Sequence, residues 1–260
     1  MKLYYPFKII LLFFESFGKY LVFLSLLFKK IDSKKMLFDN LINHMINIGS
    51  KSIPIVILTS LFTGMVSSVQ AVYQMESSFF PAYYIGSLVG ETLLLELAPV
   101  ITCLVLAGRV GATITAEIGS MRVSEQIDAL ETLSIDPIEY LVTPRIIASI
   151  IMFPVIIVVA DVFGLIGGII AAYNSMGVDS YQFLKGFKMW FVPWDAWYGI
   201  IKGLCFGLAI TSIACYYGFY TSRGSIGVGR STTSTVVSSC IAIMILDYIL
   251  LKVILWKVIL

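Results

Sequence analysis

Long apolar segments, separated by short polar ones, dominate the hydrophobic pattern of this chain. Five of them have about the 20 residues or more that a helix needs to cross a bilayer. They cover residues 53–73, 85–107, 146–173, 197–220 and 236–255. The pattern predicts an all-α membrane protein with about five transmembrane helices.

The segment ahead of the first span has a different pattern. The stretch Phe7–Phe28 is apolar but carries Lys8, Glu15 and Lys19 on one helical face, which is typical of a helix that lies in the membrane interface. An ordinary signal-anchor span is the alternative. A second surface helix is predicted within Lys29–Ser52. We therefore divide the chain into interfacial helices at residues 1–50 and a membrane domain at residues 51–260.

Composition agrees with a membrane protein and excludes several functions. Hydrophobic residues make up 58% of the chain, charged residues 13%, and the mean hydropathy is +0.93, far from the roughly 25% charged residues of soluble domains. A net charge of +2 with scattered basic residues predicts no nucleic-acid partner. The sequence has no phosphate-binding GxxxxGK[ST] loop, no HExxH and no GxSxG, and its four cysteines lack metal-ligand spacing. We expect no catalytic residue, metal site or cofactor in this chain.

The distribution of basic residues predicts the orientation. If the N-terminus is inside, 13 Lys and Arg residues lie on the inner side and 5 on the outer side. Inner loops are enriched in Lys and Arg, so the N-terminus and the loop between the second and third spans are predicted to be cytoplasmic (or stromal).

That cytoplasmic loop contains an amphipathic pattern. Val123, Ile127 and Leu130 recur at helical spacing, which predicts a short helix over Met121–Leu133. Its polar exterior consists of Arg122, Glu125, Gln126, Asp128 and Glu131. Further on, Asp136 precedes a proline and is a predicted N-cap for the next helix. The loop is either a preformed docking surface or a solvated connector.

Charged residues also fall within the spans. They are Glu91, Glu96, Asp161, Lys202 and Asp247. Each costs roughly 2.5–3.5 kcal/mol at the bilayer centre when unpaired, so these side chains are expected to pair, to face a wet cavity or to lie at headgroup depth. Glu96 and Lys202 both fall in the outer half and could line one outward-facing cavity. Asp247 is more central and could satisfy polar groups at a helix interface.

Small residues give weaker signals. The steps Gly164/Gly168 and Gly199/Gly203/Gly207 predict close approach between helices. The glycine-rich stretch Gly224–Gly229 has no preceding soluble strand, so it predicts a flexible turn between spans rather than a phosphate site.

Three stretches together carry a resemblance to a known family. They are IGSKSIPIVILTSLFTGMVSSVQ (Ile48–Gln70), the segment Glu96–Arg145 and the segment Tyr216–Leu250. These stretches resemble the MlaE-type permeases of ABC transporters. The resemblance rests on the series AGRVG, AEIG, EQIDAL, DP and YLVTPR, followed far downstream by GVGRSTTSTVV. That family includes the bacterial maintenance-of-lipid-asymmetry permeases, the Mce-associated permeases and the plastid-envelope lipid permeases.

The resemblance implies a homodimeric permease served by two copies of a separate ABC ATPase, which binds the ATP and Mg²⁺. The helix that matches Met121–Leu133 is the coupling helix of the family, so its polar residues become candidate ATPase contacts: Arg122, Glu125, Gln126, Asp128 and Glu131. The resemblance also implies a phospholipid in an outward-facing cavity near Glu96 and Lys202. An MCE-domain lipid-binding protein on the far side is a further implied partner, and the implied location is a bacterial inner membrane or a plastid envelope.

Two other functions are also compatible with these residues. An ion-gradient-driven secondary transporter would use Glu96, Asp161 or Asp247 as its ion or proton site. A scaffold or membrane enzyme is the third hypothesis, and the missing catalytic residues disfavour the enzyme. The leading hypothesis is an ATP-driven permease that moves lipid between its membrane and an MCE carrier.

Overall fold

Helices dominate the part of the protein that the structure describes. The computed structural model describes residues 15, 18–26, 34–75, 81, 83–222 and 224–255, and no strand occurs among them. Five helical segments are long and apolar enough to span a membrane: Asn40–Met75, Tyr84–Val123, Ile138–Ser175, Pro193–Phe219 and Gly224–Val253. These five spans confirm the predicted class of multi-pass, all-α membrane protein.

All five helical segments are longer than the apolar runs from which they were predicted. The second span is 40 residues long, about 60 Å at 1.5 Å per residue, roughly twice the thickness of the hydrocarbon core. Its last helix, Ala112–Val123, therefore projects into the cytoplasm under the predicted orientation. Within the span, two π-helical segments, Leu93–Leu97 and Ala107–Gly111, interrupt the α-helix.

The fifth span corrects one prediction. The stretch Gly224–Gly229 was predicted to be a flexible turn, but it forms the first turns of the helix Gly224–Leu250. Gly224 itself has φ +64°, and this left-handed residue turns the chain into the helix. A glycine-rich composition disfavours a helix locally, but tertiary packing overrides that preference: Gly227 is buried.

The spans pack in a defined order. The first span packs on the third, the third on the fourth, and the fourth on both the fifth and the cytoplasmic end of the second. The main core lies among the second, third and fourth spans and includes Leu106, Phe153, Phe206 and Ile210. An amphipathic helix, Ser180–Trp190, packs across the start of the second span on the outer side.

Only part of the predicted N-terminal interfacial helix is described. Residues 18–26 are helical, whereas Phe7 and Lys8 lie outside the described residues. Phe23 is fully buried, with its ring centroid 5.8 Å from that of Tyr216 on the fourth span. Tyr20 shares a hydrogen bond of 2.7 Å with Ser212. This helix is therefore attached to the fourth span by aromatic packing, while its interfacial position stays a prediction.

Glycines permit the closest contact between spans. A Cβ added at Gly64 of the first span would lie 1.9 Å from the carbonyl oxygen of Gly164 on the third. One turn further along, Gly167 meets the backbone of Leu61 in the same way. The predicted close approach at Gly164 is thus confirmed, because no larger residue fits between these two backbones.

We expect Gly64→Ala to destabilise the protein, because the first and third spans must separate to admit the methyl group. The cost should be about 1–3 kcal/mol, measured as a lower thermal unfolding midpoint in one fixed detergent. Gly229→Ala is the matched control, since no heavy atom lies within 4 Å of its added Cβ. Equal midpoints for the two variants would contradict the close packing at Gly64.

Candidate functional site

A fully buried lysine joins three spans. Lys202 of the fourth span has no exposed surface. Its Nζ lies 2.9 Å from Glu96 Oε2 on the second span and 2.6 Å from Asp247 Oδ1 on the fifth. The ammonium group also lies 4.7 Å from the centroid of the Tyr198 ring. We call Glu96, Lys202 and Asp247 the ion cluster.

The backbone of the second span supplies a further contact. Lys202 Nζ donates a hydrogen bond of 2.8 Å to the carbonyl oxygen of Leu95. Pro99 lies four residues later and has no N–H to donate to that carbonyl. The π-helical segment Leu93–Leu97 immediately precedes this proline region. The irregular helix therefore presents both a carbonyl and a carboxylate to the same lysine.

The ion cluster is unevenly exposed. The side chain of Glu96 is 35% exposed and that of Asp247 is 20% exposed, whereas Lys202 lies behind them. One cation faces two carboxylates, so the cluster carries a formal charge of −1. The second oxygen of Glu96 and the hydroxyl of Tyr198 have no hydrogen-bond partner within the described part of the chain. Glu96 is thus the most exposed side chain of the cluster, but its unpartnered oxygen is itself buried and can accept a hydrogen bond only from a group that enters the cluster.

The other two predicted intramembrane acids lie apart from this cluster. Asp161 is 9% exposed, and its Oδ1 has no hydrogen-bond partner among the described residues. Glu91 is exposed and lines a small crevice with Trp190 and Asp195. The structure therefore joins Glu96, Lys202 and Asp247 and leaves Asp161 and Glu91 outside.

The cytoplasmic loop is more sharply divided than its sequence predicted. The predicted helix Met121–Leu133 is broken, because Ala112–Val123 ends the second span and a separate helix covers Gln126–Thr132. Glu125 lies at the break with φ +59°, a backbone conformation that is uncommon for residues other than glycine. We call Gln126–Thr132 the loop helix.

One buried residue attaches the loop helix to the membrane domain. Ile127 has no exposed surface, and Leu130 is partly buried beside it. Glu125, Gln126, Asp128 and Glu131 are exposed on the other side. The predicted separation of apolar and polar positions is therefore correct for Ile127 and Leu130. It is wrong for Val123, which is 39% exposed and ends the preceding helix.

Arg122 is held by two contacts next to the loop helix. Its Nη1 donates a 2.6 Å hydrogen bond to Asp128 Oδ1, and its guanidinium carbon lies 5.9 Å from the centroid of the Phe219 ring. Further on, the carboxylate of Asp136 accepts a 2.9 Å hydrogen bond from the backbone N–H of Ile138, which confirms the predicted N-cap. Side-chain contacts of Arg122 and Asp136 thus hold both ends of the segment that carries the exposed charged residues.

Known proteins of one family resemble this chain over most of its length. The family model described as "Permease MlaE" matches residues 41–253. A probable ABC transporter permease protein of Rickettsia prowazekii is 40% identical over 92% of this chain and 92% of its own length. The intermembrane phospholipid transport system permease protein MlaE of Haemophilus influenzae is 35% identical over 92% of this chain and 91% of its own.

The chain belongs to the MlaE permease family. A plant relative, the chloroplastic protein TRIGALACTOSYLDIACYLGLYCEROL 1 of Arabidopsis thaliana, is 36% identical over 83% of this chain and 61% of its own length. With its five apolar spans, this MlaE-family permease is a transport subunit and a multi-pass protein of a bacterial inner membrane or a plastid envelope.

Sequence reasoning had treated Asp247 separately from the predicted pair Glu96 and Lys202. It also missed Tyr198 and the carbonyl of Leu95. A single sequence gives no register between spans, so the acid that lies beside Lys202 was not predictable. The available signal was electrostatic: a lysine within an apolar span requires an anionic partner, and Asp247 was one of few acids within the spans.

We expect Lys202→Met to lower stability, because it leaves Glu96 and Asp247 close together without their cation. Removing one member of a buried ion pair costs about 3–5 kcal/mol. We expect a loss of about 3 kcal/mol here, because both acids are partly exposed. The measurement is thermal unfolding of the purified permease. Lys188→Met, which changes an exposed lysine, should have no effect.

A triple variant tests the electrostatic origin of that loss. Adding Glu96→Gln and Asp247→Asn to Lys202→Met removes the repulsion and should recover part of the unfolding midpoint. If the triple variant is less stable than Lys202→Met, side-chain packing rather than charge explains the effect.

Proposed function

We propose that this chain is the permease subunit of an ATP-driven ABC transporter that moves phospholipid between its membrane and an MCE-type lipid carrier. The observation that carries the proposal is membership of the MlaE family along nearly the whole chain. The Haemophilus influenzae relative is named as part of an intermembrane phospholipid transport system. In this proposal ATP is hydrolysed by a separate ABC ATPase and not by this chain.

The loop helix is the proposed docking surface for that ATPase. Its exposed residues include two acids and one amide, and Glu125 and Arg122 lie beside it. A docking surface transmits motion only if it is attached to the moving part, and the buried Ile127 provides such an attachment. We therefore propose that the polar residues of the cytoplasmic loop contact the ATPase: Arg122, Glu125, Gln126, Asp128 and Glu131.

The second span offers a route from the ATPase to the outer half of the membrane. The loop helix follows directly after Val123, where the second span ends, and Glu96 belongs to the same continuous helical segment. A movement of the loop helix would shift this span against Lys202 and Asp247. Such a shift would open or close the ion cluster, which is a two-state change of the kind that ATP binding can bias.

The proposed lipid site lies at the exposed edge of the ion cluster. Glu96 would accept hydrogen bonds from a headgroup, and Lys202 would hold Glu96 in place. The neighbouring fifth span has the least buried apolar window of the five, 11%. Its exposed residues include Val237, Ile241, Met244 and Tyr248. This apolar face would pack against lipid tails and a second copy of the permease, and it supports the proposed homodimer.

A gradient-driven secondary transporter remains the competing proposal. One observation favours it: Asp161 lies buried in the third span, and one of its carboxylate oxygens has no hydrogen-bond partner in the part of the chain that the structure describes. Such a residue is a typical proton or ion site in membrane proteins. It predicts lipid or solute movement that responds to an ion gradient in the absence of any ATPase.

We expect the double reversal Glu125→Lys and Asp128→Lys to release the ATPase, because it reverses two exposed charges on the proposed docking surface. The fold should survive, since the Arg122–Asp128 ion pair is exposed and such pairs contribute about 0–1 kcal/mol. The measurement is quantitative mass spectrometry of an ABC ATPase that co-purifies from the native membrane in mild detergent.

The matched control reverses two acids at the opposite end of the molecule. Glu91 and Asp179 are both exposed there, and their change to Lys alters the net charge equally. ATPase recovery should fall at least about tenfold in the first variant, equivalent to about 1.4 kcal/mol of binding, and stay unchanged in the control. Undiminished recovery after reversal of Glu125 and Asp128 rules out this docking surface.

For the lipid site we expect Glu96→Gln to slow phospholipid transfer to the carrier, because the headgroup loses a charged acceptor. Hydrogen bonds to charged groups contribute about 1.5–3 kcal/mol, so transfer in proteoliposomes containing the ATPase and carrier should fall by about tenfold or more. Glu91→Gln removes an equal charge from the same span, away from the ion cluster, and should transfer lipid normally. Equal rates in both variants would show that Glu96 makes no headgroup contact.

A further inference from the structure

A polar cavity lies away from the ion cluster, on the side that the charge bias predicts to be cytoplasmic. It has a volume of about 110 Å³ and lies between the end of the helix Lys34–Ile48, the start of the first long helix and the second span. Its polar lining consists of His44, Asn47, Lys51, Arg109, Thr113 and Glu117. None of these residues contributes to the proposed lipid site or the loop helix.

The two cations of this cavity have no anionic partner in the described ranges. Arg109 donates through Nη1 to the hydroxyl of Ser52, and no ion pair of Arg109 or Lys51 occurs among the described residues. Arg109 is partly buried and Lys51 is exposed. A partly buried guanidinium with a single neutral acceptor retains several unused donors, which favour a bidentate oxyanion.

The one acid in the lining is already neutralised. Glu117 Oε2 lies 3.1 Å from Nη2 of Arg145, and Arg145 is 3% exposed. Arg145 also donates a 2.6 Å hydrogen bond to the carbonyl of Leu141. Counting Arg145, the cavity region carries three cations and one carboxylate, so its net charge is positive and attracts an anion.

The depth of the cavity matches that of lipid phosphates. Arg109 lies about 38 Å along the second span from Tyr84, beyond a hydrocarbon core of about 30 Å. Lys51 immediately precedes Ile53–Met75, a helix of 23 residues that is itself long enough to cross that core. For a hydrocarbon core that begins near Tyr84, both spans therefore put these cations at headgroup depth, on the side that the charge bias predicts to be cytoplasmic.

Backbone geometry also distinguishes this position. Arg109 lies in the π-helical segment Ala107–Gly111, and π-helical turns inside α-helices occur frequently at functional sites. The residue preceding it, Gly108, is exposed and has no heavy atom within 4 Å of an added Cβ. The span is therefore irregular and open beside the guanidinium group.

We propose that this cavity binds the phosphate group of a phospholipid from the cytoplasmic leaflet. Arg109 and Lys51 would contact the phosphate oxygens, with the Asn47 amide and the His44 imidazole as further donors. The bound headgroup would connect the first and second spans at the cytoplasmic surface. The site is separate from the outward-facing lipid site, and its occupation requires neither the ATPase nor transport.

The test uses native mass spectrometry of the full-length permease in detergent supplemented with dioctanoyl phosphatidylglycerol. The number of retained phosphatidylglycerol molecules should fall by one per protomer in Arg109→Gln. Affinity should fall about tenfold in that variant and about threefold in Lys51→Gln, because the lysine is more exposed. Lys188→Gln removes the same charge on the outer side and should retain the lipid.

Lys51→Gln keeps the test valid if Arg109→Gln does not fold, because Lys51 is exposed and holds no ion pair among the described residues. A parallel titration replaces the lipid by inorganic phosphate. Lipid binding without phosphate binding supports a headgroup from the bilayer. Equal binding of both overturns the lipid source and leaves a soluble phosphate anion as the ligand. Identical lipid retention in wild type, Arg109→Gln and Lys51→Gln overturns the site.

Discussion

The ionic contact of Lys202 is the constraint around which the outer half of this permease is organised. A lysine without exposed surface inside a span is affordable only with anionic and carbonyl partners at short distance. Glu96, Asp247 and the Leu95 carbonyl supply them from two other spans. The positions of the second, fourth and fifth spans are therefore linked through one ammonium group. Any rearrangement that separates these spans must hydrate or re-pair that charge.

Close backbone contact makes the remaining spans a rigid support for this cluster. The first and third spans touch backbone to backbone at Gly64 and Gly164, and the third packs on the fourth beside Lys202. In a bilayer, packing and hydrogen bonds hold helices together, because lipid tails leave little hydrophobic gain from helix association. By contrast, the fifth span buries little of its apolar surface within the protomer. The span that contributes Asp247 is thus also the one that leaves most of its apolar surface outside the protomer core.

Polar chemistry occurs at three levels along the second span. Glu96 lies in the first half of the span, Arg109 lies further along it, and the loop helix follows its end, which the charge bias predicts to be cytoplasmic. The first two positions coincide with π-helical segments, where the regular hydrogen-bond ladder is altered. We infer that a single irregular helix connects the proposed ATPase surface with both proposed lipid contacts. This arrangement explains how one membrane segment can hold ligand groups without exposing unsatisfied backbone to lipid.

The sequence by itself determined the number of spans, the N-cap at Asp136 and the inward face of Ile127, because length and helical periodicity are local properties. The orientation of the spans stays a prediction from the charge bias. The sequence also singled out Glu96 and Lys202 as a candidate pair through family resemblance, and the structure brings the two side chains into contact. Tertiary structure decided that Asp247 completes their cluster, that Glu125 breaks the predicted cytoplasmic helix and that Gly224–Gly229 is helical. It also brought Lys51 and Arg109 to one cavity. These features depend on the register between helices that are far apart in sequence. One sequence alone does not reveal that register.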